Sequence, residues 1–106
     1  MNHLLNHTKW EEIRLSMYNL AINIKLAIKW RVKNIDNGYV SAWDSEWYYH
    51  FKNGGYEMIE WLEILTPDPS IQAFVLKELK KIHVPGKVQP ESVLVYGYSN
   101  DLVDYL

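Results

Sequence analysis

Tyr56–Leu65 reads YEMIEWLEIL, and the fold turns on whether this run is a helix or a strand. Glu57, Glu60 and Glu63 recur every third residue, which suits the acidic face of a short helix. Three features point the other way. The run is short, turn residues bound it, and the chain before it is patterned as hairpins. We read Tyr56–Leu65 as a strand, the fourth in a series.

The strands before it begin where a period of two sets in. Trp30-Arg31-Val32-Lys33-Asn34-Ile35 alternates as a half-buried strand does. Asp36-Asn37-Gly38 is a turn, because Asn-Gly tolerates the positive φ angles of tight hairpins. Tyr39–Trp43 is expected to return antiparallel. Trp47–Phe51, rich in strand-favouring aromatics, is expected to be the third strand. Asn53-Gly54-Gly55 then turns into Tyr56.

Farther upstream, Thr8-Lys9-Trp10-Glu11 has the form of a capping box. Trp10, Ile13, Met17, Leu20, Ile24 and Ala27 follow at spacings of three and four, one face of an amphipathic helix. Leu15, Tyr18, Ile22 and Leu26 make a second apolar strip beside it. The apolar face is therefore wide, and the helix is either covered on two sides or keeps surface for a partner.

Downstream, Asp68-Pro69 opens a second helix with a cap and a proline at its first position. Ile71, Val75, Leu79 and Ile82 line one face, and Val84-Pro85-Gly86 stops it. Ser92–Tyr98 is a last strand, and Asn100–Leu106 is apolar enough to dock. The expected architecture is a two-layer α+β domain with an antiparallel sheet of four to five strands and two helices on one face. It fills residues 1–106 as one domain. Residues 1–7 are expected to fray, with a helix over about 8–29, strands over 30–65, a helix over 69–83 and a strand over 92–98.

Several stretches taken together resemble an uncharacterised family of small bacterial Trp-rich proteins, a domain of unknown function. They are Trp43-Asp44-Ser45-Glu46-Trp47-Tyr48-Tyr49-His50-Phe51, Gly54-Gly55-Tyr56, Ile59-Glu60-Trp61, Lys80-Lys81-Ile82-His83-Val84-Pro85-Gly86 and Tyr96-Gly97-Tyr98. The resemblance runs from about Thr8 onward. It implies a bacterial, cytoplasmic protein and carries over no catalytic residue.

Composition narrows the function classes. The net charge is −2, so no excess of lysine and arginine exists to neutralise phosphates, and nucleic acid is not an expected partner. The chain has no cysteine, which removes disulfides and thiolate metal sites. MNHLLNHTKW shows no signal-peptide pattern. Leu15–Trp30, the most apolar segment, is broken by Asn19, Asn23, Lys25 and Lys29, so no membrane span is expected. His3 and His7 have a helical metal-clamp spacing but no third ligand nearby, and neither a metal nor another cofactor is expected.

The candidate site centres on Ser41–Phe51, SAWDSEWYYHF. As a strand, Trp47, Tyr49 and Phe51 share one face, and Glu46, Tyr48 and His50 the other. The first face suits a core. Trp43, Asp44, Glu46, Tyr48 and His50 suit the rim of a recognition patch in which carboxylates select a basic partner. His50 and His83 are the histidines able to do acid–base work beside a carboxylate such as Asp44, Glu46 or Glu60. Glu60, if buried, needs Arg14 or Arg31. The expected function is a cytoplasmic protein-interaction module, one form of which is an immunity-type inhibitor of a basic toxin domain. The alternatives are a small enzyme using His50 or His83, and a homodimer built on the first helix.

Overall fold

The structure is a computed structural model describing residues 1–106. In chain order the elements are β1 (Asn2–His3), α1 (His7–Ile24), β2 (Trp30–Asn34), α2 (His50–Asn53), β3 (Ile59–Leu65), α3 (Pro69–Ile82), β4 (Gly86–Val88), β5 (Ser92–Tyr96) and β6 (Tyr98–Ser99). The decisive run is a strand over most of its length, preceded by a 3-10 turn at Tyr56–Met58. It sits inside an antiparallel sheet of order β2-β3-β5-β4, and β1 pairs with β6 in a separate small ribbon.

Register explains the two faces of the sheet. Trp30, Ile64, Val93 and Val88 form one cross-strand row, and Val32, Leu62, Val95 and Gly86 the next. Apart from Val88, exposed at the sheet edge, these rows turn inward and merge with α1 and α3 in a single core. The alternate row carries Arg31, Glu63, Leu94 and Lys87 on the outer side. The ladder skips Glu60 between Lys33 and Asn34, a β-bulge. Glu60 then pairs with Lys33 at 3.5 Å, while Arg31 pairs with Glu63 at 2.7 Å and Arg14 with Glu11 at 2.7 Å. The expected partners of Glu60, Arg14 and Arg31, are thus both engaged elsewhere.

The first helix starts and stops earlier than the sequence suggests. Asn6 is the cap, its side chain accepting from the Lys9 N–H at 2.9 Å, so Thr8 lies within the helix. Lys25, in the left-handed conformation, ends it well before residue 29, and its N–H satisfies the Ala21 and Ile22 carbonyls. Trp10, Ile13, Met17 and Leu20 are buried, whereas Leu15, Tyr18, Ile22 and Leu26 stay exposed. Of the two fates for the wide apolar face, the second strip takes the solvent-facing one. The second helix matches expectation in its Asp68 cap, and ends at a left-handed His83 just ahead of the expected Val84-Pro85-Gly86 stop.

Residues 1–7 do not fray away from the fold. Asn2 and His3 pair with Ser99 and Tyr98, and Leu5 is buried. The strand expected over Ser92–Tyr98 is interrupted at Gly97, where a Cβ would stand 2.2 Å from the Ile59 carbonyl oxygen. That close approach lets the Gly97 N–H reach the Glu60 carbonyl at 2.8 Å. Gly86, read as part of a helix stop, begins an edge strand instead. The tail docks along it through the Gly86 N–H to the Asp104 carbonyl and the Leu106 N–H to the Val84 carbonyl.

The largest departure lies between β2 and β3. Tyr39–Asp44 does return antiparallel, but only through isolated bridges, Val40 with Lys33 and Asp44 with Trp30. Trp47–Phe51 is not a strand. Trp47–Tyr49 is a turn and His50–Asn53 a short helix. The cause is local hydrogen bonding: the Glu46 carboxylate accepts from the N–H of Tyr49 at 2.6 Å and of His50 at 3.2 Å. In this helical winding Trp47 and Phe51, four residues apart, both turn inward, and Tyr49 turns out to solvent.

Trp47 and Phe51 enter an aromatic core with Trp10, Trp30 and Tyr56. Phe51 lies 4.9 Å from Trp47 and 5.2 Å, edge-on, from Trp30. The Trp47 indole donates to the Ile28 carbonyl at 2.9 Å. Trp47 is 2% exposed and Trp43 37%. Trp47→Ala is therefore expected to cost about 3–5 kcal/mol in urea unfolding, by loss of packing and creation of a cavity. Trp43→Ala should cost about 1 kcal/mol or less, as surface truncations do; equal losses at the two positions would contradict this placement.

Candidate functional site

The site is built by two neighbouring segments, the exposed side of α1 and the turn Ser45–His50. Arg14 ties them together. Its side chain is buried, its Nη1 donates to the Tyr48 carbonyl at 2.7 Å, and its guanidinium lies 5.1 Å from the Tyr48 ring centroid. Glu11 holds Arg14 from the helix side and accepts from the Tyr56 hydroxyl. Those hydrogen bonds, Arg14's first and Tyr56's second, hold the Glu11 pKa down at about 2. Burial, and then the same contact with Glu11, pushes the Tyr56 hydroxyl above its ordinary value. The anchor thus stays ionised across the neutral range.

Between the two segments runs a groove of about 720 Å³. Tyr18, Ala21, Ile22, Leu26 and Ala27 form one wall, and Trp47, Tyr48 and Tyr49 the other, with Lys25, Ser45, Glu46 and His50 at the lip. Tyr18 meets Tyr48 at 5.3 Å, and Tyr48 meets Tyr49 edge-on at 4.8 Å. The lining is mainly apolar with a few polar groups at its border, the composition of a recognition surface.

The carboxylates in this region face the protein's own donors. Asp44 accepts from the Glu46 N–H at 2.8 Å and from the His50 ring Nδ1 at 2.8 Å. Burial opposes ionisation of Asp44, but these donors outweigh it and hold its pKa below the ordinary value. Glu46 behaves alike: desolvation opposes its charge, and the amides of Tyr49 and His50 overcome it. His50 is shifted the other way, its pKa raised by the hydrogen bond and then the charge of Asp44. Orienting an imidazole by a carboxylate at Nδ1 leaves Nε2 as its remaining proton-transfer atom.

Of the candidates named from the sequence, Glu46, Tyr48 and His50 line the groove, and Asp44 supports His50 from behind. Trp43 lies outside it, covered by the Arg31 guanidinium at 4.4 Å. His83 ends α3 and stacks on Tyr105 at 4.6 Å, so the two histidines do not converge. Sequence reasoning missed Tyr49, which it assigned to a core-facing row. The signal was present in the four-residue spacing of Trp47 and Phe51 behind an acidic residue. It also did not join the second strip of α1 to this turn, because no spacing in the sequence encodes that contact.

The raised His50 pKa has a signed consequence. The Asp44–His50 contact stabilises the fold fully below the ordinary histidine value of 6.5 and fades as pH rises through the raised folded-state value. NMR titration should therefore place His50 above 6.5, and Asp44→Asn should bring it back down. A parent ring titrating at or below 6.5 would contradict the pairing.

No helix is long and apolar enough to cross a membrane, and no group of three or more His, Asp or Glu side chains is placed to hold a metal ion. Neither a curated protein nor a solved structure matches the sequence. One family model does, described as a family of unknown function (DUF6678), over residues 1–102. Because that match covers nearly the whole chain, the protein belongs to this family of unknown function.

Proposed function

We propose that the protein is a cytoplasmic protein-interaction module and that the groove between α1 and Ser45–His50 is its docking surface. One observation carries this reading. An aliphatic strip, Ile22 and Leu26, stands opposite Tyr48 and Tyr49 in the same groove, with all four side chains exposed. Aromatic side chains held in fixed positions are what recognition surfaces concentrate, because they offer large contact area at low entropic cost. Arg14 and Glu46 fix that geometry before any partner arrives, which lowers the cost of ordering on binding. The alternative of proton transfer keeps the Asp44–His50 pair alone, since His83 stands elsewhere.

Photo-crosslinking in cells tests the reading. A benzophenone side chain at position 22 is expected to give a discrete, saturable adduct with another protein chain, and the same group at Lys81 on α3 none. Leu26→Asp should abolish the adduct while leaving the melting temperature unchanged. Equal labelling at positions 22 and 81, or none at 22, would contradict the docking role.

A further inference from the structure

We propose that the occupant of this groove is a second copy of the chain, docked α1 against α1 in antiparallel orientation about a two-fold axis near Tyr18 and Asn19. The proposal rests on the reading of the groove as a protein-docking surface and names its partner.

The argument comes from the pattern of the exposed side of α1. Leu15, Tyr18, Ile22 and Leu26 are all exposed, with Ile22 at 56% and Leu26 at 53%. The spacing of three and four keeps Leu15, Tyr18 and Ile22 on one strip of α1, and Leu26 follows just past the cap at Lys25. Reversed about a point between Tyr18 and Asn19, the stretch from Leu15 to Ile22 maps onto itself. Leu15 falls opposite Ile22 of the second copy and Ile22 opposite its Leu15. Tyr18 falls opposite Asn19 of the second copy, and Asn19 opposite its Tyr18, beside the axis. Such a self-complementary patch is what a two-fold interface requires.

Charge selects the direction. The acidic residues of α1, Glu11 and Glu12, lie at its N-terminal end. Lys25 stands at the other end, on the lip of the groove. Neither Glu12 nor Lys25 has an ion-pair partner within the chain. An antiparallel arrangement brings the acidic end of each helix to the level of the other's Lys25. A parallel one sets like charges against each other at both ends, which is destabilising. The Asp44 and Glu46 carboxylates, already satisfied by His50 and by backbone amides, leave Lys25 as the unpaired charge at the lip.

Sedimentation equilibrium of the full chain tests this directly. The parent is expected to reach twice its 12.6 kDa mass as concentration rises. Ile22→Asp should return it to a folded monomer whose melting temperature matches that of the parent at dilutions where the parent is also monomeric. Lys25→Glu should weaken association about tenfold at low salt, and combining it with Glu12→Lys should restore most of that loss. Because the chain has no cysteine, Asn19→Cys offers a second readout. It should form a symmetric disulfide dimer on mild oxidation, whereas Lys81→Cys should not. A dimer that survives Ile22→Asp overturns the proposal, as does a parent that stays monomeric at its highest soluble concentration. If that monomer still gives a crosslink from position 22 to a different chain, the second-copy proposal alone fails. If it gives none, the docking role fails with it.

Discussion

The carboxylate of Glu46 holds the amides of Tyr49 and His50, and this one contact decides what the following residues do. It winds a stretch of strand-favouring aromatics into a turn and a short helix. In that winding Trp47 and Phe51 enter the core, and Tyr48, Tyr49 and His50 remain outside. Winding as a strand would send Tyr49 to the same side as Trp47 and Phe51. The core would then have to hold another large ring, and the groove would lose a wall. Backbone contacts reinforce the choice. Asp44 exchanges hydrogen bonds with Trp30, and the Trp30 indole donates to the Glu46 carbonyl at 3.1 Å.

The strand at Ile59–Leu65 is legible because its pattern, length and bounding turns agree, and its neighbours in the sheet follow the same logic. The second helix is legible for a similar reason, with cap, apolar face and stop all present in sequence order. Trp47–Phe51 misleads because strand propensity of aromatics measures packing on a pleated surface, and here a nearby carboxylate captures the backbone first. The N-terminus misleads for a different reason. Asn2 and His3 are held by pairing with Ser99 and Tyr98, contacts far apart in sequence that no local pattern reveals, whereas the tail docks as its apolar residues suggest. Glu46, Tyr48 and His50 are identifiable as candidates from residue type alone, and they line one groove. Their joining to Ile22 and Leu26 depends on Arg14, whose reach across to the Tyr48 carbonyl is a tertiary fact.

The second apolar strip of α1 lies beside that turn, and the two together line one groove. An exposed aliphatic strip on a helix costs solubility unless something covers it. Here it is one wall of a groove whose other wall is aromatic and fixed in place by buried Arg14. The carboxylates that a sequence reader assigns to partner selection are spent instead on shaping the turn. What remains unpaired at the lip is Lys25. Fold and groove thus trace back to one capped turn and one buried arginine.

The measurement that bears most directly on this account is hydrogen exchange of the tryptophan indole N–H groups, followed by NMR in the parent and in Glu46→Ala. If Glu46 sets the turn that buries Trp47, the parent's Trp47 indole should exchange only on global opening, while that of Trp43 exchanges far faster. In Glu46→Ala the Trp47 protection should fall towards that of Trp43. A Trp47 indole that exchanges as fast as Trp43 in the parent, or stays fully protected in Glu46→Ala, would contradict the account.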